Sequence, residues 1–243
     1  TIRLKIVALA VLTLMVSGCA VTPEPGSWSG TDGNGVSFAG EGMFVGKQLV
    51  EGKITYGTTG PNSYVWQGKN DGTYLDGTLI RGDGRRFEGR ITVPDHRDGA
   101  NVQYINGRET RTDGCVYQGS FEKQLLSGPG KITCPDRTLE GVFKGGNLDG
   151  KGTITYANGN KVIASNFEDG RFIASHNTFL YADGRKLVEK YDYQGARSGL
   201  ATLDYPNGDR DEMLYSKSVL LLQVPAIRDV VRLTSCPSLP TGW

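Results

Sequence analysis

The chain has 243 residues, with 27 basic against 26 acidic side chains and 35 glycines. Apolar content is 37%, below the roughly 45–50% of ordinary globular domains, and glycine is about twice its average usage. The neutral balance gives no basic face of the kind that nucleic-acid binding needs and argues against a surface made for anionic lipid. Many glycines alongside 11 tyrosines fit short strands and tight turns better than helices.

At the N-terminus, Arg3 and Lys5 precede an apolar run from Ile6 to Val16, followed by Ser17, Gly18 and Cys19. The run is shorter than the ~20 residues of a membrane-spanning helix, and charge, short apolar core and small residues in that order make a secretion signal. Its end resembles the lipobox of bacterial lipoproteins, with Gly18 just before Cys19. The resemblance implies a diacylglycerol on the Cys19 thiol, cleavage before Cys19 and acylation of the new amine. An ordinary signal with an incidental cysteine is the alternative. Each buried CH₂ contributes roughly 0.8 kcal/mol, so three acyl chains would hold durably where one holds marginally. Ala20 instead of Asp after the cysteine implies sorting to the outer membrane, the periplasmic face of the inner membrane being the alternative. Val21 to Ser27, with Pro23 and Pro25, reads as an extended polar tether, so that residues 19–27 link lipid to fold.

Residues 28–37 are expected to cap the N-terminal end, with Trp28 over the open apolar edge. From Phe38 to Arg210 a pattern recurs with a period near 24. Its cleanest copy is Leu139 to Lys161, where Leu139-Glu140-Gly141 opens one strand, Gly145-Gly146 and Asp149-Gly150 turn the chain, Gly152 to Tyr156 alternates as a second strand, and Asn158-Gly159 marks a tight turn. First strands open at Phe38-Ala-Gly40, Trp66-Gln-Gly68, Phe87-Glu-Gly89, Tyr117-Gln-Gly119, Leu139-Glu-Gly141, Ile163-Ala-Ser165 and Leu187-Val-Glu189. Second strands carry Ile54, Leu79, Val102, Ile132, Ile154, Phe179 and Leu203, and two residues on Tyr56, Arg81, Tyr104, Cys134, Tyr156, Tyr181 and Tyr205. Asn106-Gly107 reads as a closing turn, with Arg108 to Gly114 inserted after it.

Such a hairpin buries too little to stand alone. Side by side, about seven hairpins make an all-β, elongated, single-layer antiparallel sheet, in which glycine suits places where the sheet bends or where a neighbouring ring lies over bare backbone. The aromatic-x-Gly strand followed by Gly-x-Gly-x-Ile/Leu-x-Tyr resembles the MORN repeat over about Phe38 to Arg210. That resemblance implies scaffolding, dimerisation or membrane attachment. Some MORN arrays are fused to enzymes such as phosphatidylinositol phosphate kinases, but no such domain is expected after Arg210. Residues 211–243 read as a C-terminal cap, with a short helix over Ala226 to Leu233 closing the far end; a partner-docking element is the alternative.

Cys115 and Cys134 lie opposite each other in the register of the fourth hairpin and are expected to form a disulfide, in a compartment that permits one; two separate buried thiols are the alternative. Cys236 is left over, free or paired between molecules. The motifs G-x-S-x-G, H-E-x-x-H and G-x-x-x-x-G-K-[ST] are absent from the sequence, and no cofactor or metal is expected. His96, flanked by Asp95 and Asp98, is read as a solvated turn; an acid/base role there supports only a remote reading as a hydrolase. His176 is read as a packed or surface histidine. Asp32-Gly-Asn34-Gly and Asn70-Asp71-Gly are read as turn chemistry and not as calcium loops.

The function expected is that of a non-enzymatic, membrane-anchored envelope lipoprotein. Its repeat sheet would bind an unidentified envelope protein or cell-wall component through Tyr56, Tyr104, Tyr156, Tyr181 and Tyr205, since tyrosine offers a large rigid face and one hydroxyl. The same tyrosines could equally serve only to hold the sheet together. Lipid, glycan or peptidoglycan binding by the repeats is the alternative function.

Overall fold

The computed structural model describes residues 21–94, 101–173 and 176–225. Within them the chain forms strands and no helix. These are β1 (Glu24–Thr31), β2 (Ser37–Val45), β3 (Gln48–Tyr56), β4 (Tyr64–Asn70), β5 (Tyr74–Arg81), β6 (Arg86–Thr92), β7 (Tyr104–Thr110), β8 (Val116–Glu122) and β9 (Leu125–Thr133). They continue as β10 (Arg137–Lys144), β11 (Asn147–Tyr156), β12 (Lys161–Glu168), β13 (Arg171–Phe172), β14 (His176–Leu180), β15 (Lys186–Lys190), β16 (Gly199–Asp204), β17 (Arg210–Ser216) and β18 (Val219–Val224). Each pairs antiparallel with the next in chain order, except that the short β13 lies beside β12, which pairs onward with β14. The result is the single long antiparallel sheet of hairpins that the repeat implies.

The register aligns one column of side chains across the sheet. It runs Trp28, Gly40, Ile54, Trp66, Leu79, Phe87, Glu109, Tyr117, Ile132, Leu139, Ile154, Val162, Phe179, Leu187 and Leu203. Two residues away runs a file of glycines, one per strand from β1 to β11: Gly26, Gly42, Gly52, Gly68, Gly77, Gly89, Gly107, Gly119, Gly130, Gly141 and Gly152. Here the backbones press together. At Gly89, with φ +147°, an added methyl would lie 2.6 Å from the Gly107 Cα, a distance that only a strand without side chains allows.

The file is a crease. Beyond it, toward the hairpin tips, a second apolar row holds Phe44, Leu49, Leu75, Ile91, Tyr104, Phe121, Leu126, Phe143, Leu148 and Phe167, all buried. Several strands bulge just past the glycines, as between Gly119 and Phe121 and between Gly141 and Phe143, which sharpens the bend. The two halves of the sheet then face each other. Phe87 on one side stacks on Tyr104 of the other at 4.0 Å between ring centroids, and a methyl on Gly107 would lie 2.8 Å from the Phe87 ring. One sheet thus supplies both walls of its own core, which a flat array of hairpins could not do.

Closing turns share one geometry. In the fifth hairpin, Gly159 N–H donates to the Tyr156 carbonyl and Tyr156 N–H to the Asn160 carbonyl, with Gly159 at φ +88°. Arg81 to Arg85, Arg111 to Cys115, Tyr181 to Arg185 and Tyr205 to Asp209 repeat this pattern. Several hairpin tips are two-residue turns with both residues at positive φ, as at Gly145-Gly146 and Lys123-Gln124.

Several expectations are corrected. The strand β1 begins at Glu24, inside the stretch read as tether, and pairs with β2; Pro25 is tolerated because β1 is an edge strand with no ladder on its outer side. In the first hairpin the crease glycine is Gly42, not Gly40; Gly40 sits in the aromatic position because Trp28 lies over it, 2.9 Å through Nε1 from where a methyl would be. In the sixth, Val162 and Ala164 take the places assigned to Ile163 and Ser165, and Ile163 is exposed. Asn106-Gly107 is mid-strand, with Gly107 facing both Gly89 and Gly119; the closing turn follows at Arg111 to Cys115. The sheet also runs past Arg210, because β17 and β18 form an eighth hairpin. The signal, Cys19, His96, Cys236 and the helix expected over Ala226 to Leu233 lie outside the described residues.

The Cys115–Cys134 disulfide is present, with a sequence separation of 19. It ties the closing-turn ends of β8 and β9. A loop of that length contributes about 3 kcal/mol by restricting the unfolded chain. Adding reductant is therefore expected to lower the melting temperature by roughly 6–12 °C; an unchanged melting curve in the presence of reductant would show that the bond contributes nothing.

A candidate interaction surface on the repeat sheet

Tyrosine recurs where a strand hands over to its closing turn, and the register places its ring on the inner face two residues beyond the apolar column. The five tyrosines expected as a surface do not share one fate. Tyr56 is buried and donates through its hydroxyl to Asp32 Oδ2 at 2.7 Å. Asp32 Oδ1 accepts from the backbone N–H groups of Asn34 and Val36, so the Asp32 loop is turn chemistry. The same holds at Asn70-Asp71, where the side chains accept from the N–H groups of Gly72, Thr73 and Tyr74. Tyr104 is buried across the crease among the tip-side residues and accepts from Arg81 Nε at 2.9 Å. Burial pushes its phenol pKa up, against the pull of the neighbouring Arg81. Burial likewise raises that of Tyr64, which stacks on Tyr56 at 5.2 Å. These rings hold the fold, and Tyr56 and Tyr104 offer nothing to a partner.

Tyr156, Tyr181 and Tyr205 differ. Tyr156 is 36% exposed, and Tyr181 and Tyr205 are half-buried. Arg185 stacks on Tyr181 at 4.9 Å, and Tyr205 donates to Asp211 Oδ2 at 2.8 Å. They sit on alternate hairpin strands, about 10 Å apart given ordinary strand spacing. The apolar column beside them is half-buried at Ile154, Phe179, Leu187 and Leu203. The glycine file also stops in this region. It ends at Gly152, and Ala164, Asn177 and Glu189 continue it. The halves still meet there, since the tip-side Phe172 contacts Phe179 at 6.1 Å between ring centroids and Val162 of the column is buried.

The third hairpin holds the position missed in the sequence. The place filled elsewhere by Leu79 or Ile132 is Glu109, fully buried, and the tyrosine position is Arg111. Glu109 Oε2 accepts from Arg111 Nε at 2.8 Å, and Oε1 faces Arg85 Nη1 at 3.5 Å. Arg111 stacks on Tyr117 at 3.8 Å, and Arg85 also holds Asp83 at 2.7 Å. With one oxygen bonded to Arg111 and the other facing Arg85, Glu109 is a structural carboxylate. Glu189 is held in the same manner, by the Tyr191 hydroxyl at 2.9 Å and by Arg197 at 3.2 Å. Counting from Gly107 in steps of two would have found Glu109 and Arg111.

The reverse face carries paired charges over its first two thirds, with Lys53–Glu41 at 3.5 Å, Arg108–Glu88 at 3.8 Å and Lys131–Glu140 at 3.7 Å, among scattered exposed apolar residues such as Val65 and Ile80. A shallow depression of about 560 Å³ lies there over the bare glycines, lined by residues such as Arg108, Gln118 and Pro129. It has no aromatic wall. His176 lies at the start of β14 with its residue exposed.

The MORN repeat profile matches residues 117–138, 140–161 and 193–210. No curated protein matches the sequence, and no catalytic family is found. The first two matched segments cover β8 to β11, where the glycine file and the apolar column are both complete, and the same register extends to hairpins outside the matched segments. The chain is therefore a β-sheet module that contains MORN repeats.

Proposed function

We propose that this MORN-repeat module is a non-enzymatic protein-binding scaffold, and that its partner meets the inner rim at Tyr156, Tyr181 and Tyr205. One observation carries the reading: Tyr156, Tyr181 and Tyr205 keep accessible ring surface beside a half-buried apolar column, whereas Tyr56 and Tyr104 are buried. Rigid aromatic area with a polar tip is what protein interfaces favour. Replacing all three tyrosines by serine is expected to abolish capture of an envelope protein in a crosslinking pull-down, with the melting temperature lowered by no more than a few degrees. Equal capture by the variant would place the interface elsewhere.

We further propose that the module is tethered to a bacterial envelope membrane by acylation of Cys19, with the outer membrane as its destination. The support is the charge, apolar run and Gly18-Cys19 of the N-terminal sequence. Labelled palmitate incorporated by the wild type and absent from Cys19→Ala is the expected result; equal labelling, or none in either, overturns it. Several reverse-face charges are paired with one another, which disfavours lipid headgroups as the ligand. Binding of the unlipidated protein to liposomes or cell-wall sacculi would favour that alternative.

A further inference from the structure

The last hairpins expose a contiguous apolar row on the reverse face. Leu200, Leu214 and Leu222 align across β16, β17 and β18, and are 57%, 39% and 56% exposed. Val219, Leu221 and Val224 extend the exposed apolar area along β18, in which every residue is exposed. Six uncharged residues in an exposed edge strand are a template for unwanted pairing, which proteins normally cover or charge. The opposite edge, β1, is short of large apolar groups and carries Pro25.

We propose that this patch is the docking site for residues 226–233 of the same chain. Pro225 follows β18 directly and cannot continue the ladder as a donor, so β18 ends at the rim of the patch. The next eight residues, AIRDVVRL, place Ile227, Val230 and Val231 at the spacing of one apolar stripe, with Arg228, Asp229 and Arg232 off it. The row from Leu222 to Leu200 spans about 10 Å, and eight residues reach up to ~26 Å when extended, so the segment is long enough in any conformation that keeps about half that length. Glu212 lies beside Val224 on the same face, within reach of Arg228 by chain length. The segment would cover the edge on the reverse side and leave the inner rim at Tyr156, Tyr181 and Tyr205 free. The inference does not depend on the proposed partner.

A photo-crosslinking residue placed at Leu200 in the full chain tests this, using a mixture of isotopically light and heavy protein. Crosslinks within one molecule onto peptides containing residues 226–233 are expected. Crosslinks between light and heavy copies would assign the patch to a second copy, and crosslinks to another segment or to none would overturn the proposal equally. In parallel, Leu214→Asp is expected to speed tryptic cleavage after Arg228 and Arg232 at least tenfold. A rate equal to that of the wild type would also overturn it.

Discussion

Replacing Gly68 by alanine is expected to destabilise the protein by at least about 3 kcal/mol and to lower its melting temperature by roughly 10 °C. The added methyl would press on the Asp76 carbonyl oxygen and lie 2.7 Å from the Gly77 Cα. Both obstacles are backbone of the next strand, so no side chain can swing aside. The φ of Gly68 lies outside the left-handed region, which makes this substitution a test of close approach and not of conformational strain. Gly145→Asn is the control. Gly145 sits at φ +56° in open space, and asparagine tolerates that conformation, so a change within about 1 kcal/mol is expected. Circular dichroism melts of both variants decide the matter. If Gly68→Ala melts within two or three degrees of the wild type, the glycine file is not what creases the sheet.

Glu109→Ala should lower stability by about 3 kcal/mol, read as a shift in the urea midpoint. Removing the carboxylate leaves Arg111 without its counter-charge, while Arg85 keeps only Asp83, and breaking a buried ion pair from one side is costly. Both arginines keep some contact with water, at 27% and 31% exposure, which holds the cost to the lower end of the usual range. The double substitution Glu109→Leu with Arg111→Tyr is the informative partner. It writes into the third hairpin what the second or fourth has at the column position, Leu79 or Ile132, and what the fifth has at the turn, Tyr156. Exchanging a buried ion pair for packed apolar groups is often neutral or stabilising. The double variant is therefore expected to unfold near the wild-type midpoint. Should it prove as unstable as Glu109→Ala, the carboxylate supports something beyond its own charge balance.

Much of the sheet is legible in the amino-acid sequence because its cues are local. Ile54, Leu79, Ile132 and Ile154 each follow a glycine by two residues, and Tyr156 marks the start of a turn whose own hydrogen bonds require Asn158 and Gly159 nearby. The Cys115–Cys134 pairing follows from the same register. Two features resisted reading for physical reasons. Val102 and Tyr104 imitate the apolar-then-aromatic pair of a second strand, while the true occupants, Glu109 and Arg111, are charged and look like surface until Arg85 is brought beside them from another strand. The fate of Tyr56 and Tyr104 was hidden for a different reason. Alternation shows which side chains share a face, but what covers that face is the sheet bent onto itself. That bend depends on glycines standing opposite one another across eleven strands, a relation between distant residues that no single copy of the repeat contains.

The neighbour-only pairing of the strands has a consequence for how the chain acquires its shape. No strand must wait for a partner made much later, so contact order is low for an all-β protein and the loop-closure penalty of each step is small. Structure can grow hairpin by hairpin behind a ribosome or an export channel, each new pair templated by the exposed rim of the last. Synthesis direction then becomes assembly direction, with the outer rim of β1 laid down first and that of β18 last among the described strands.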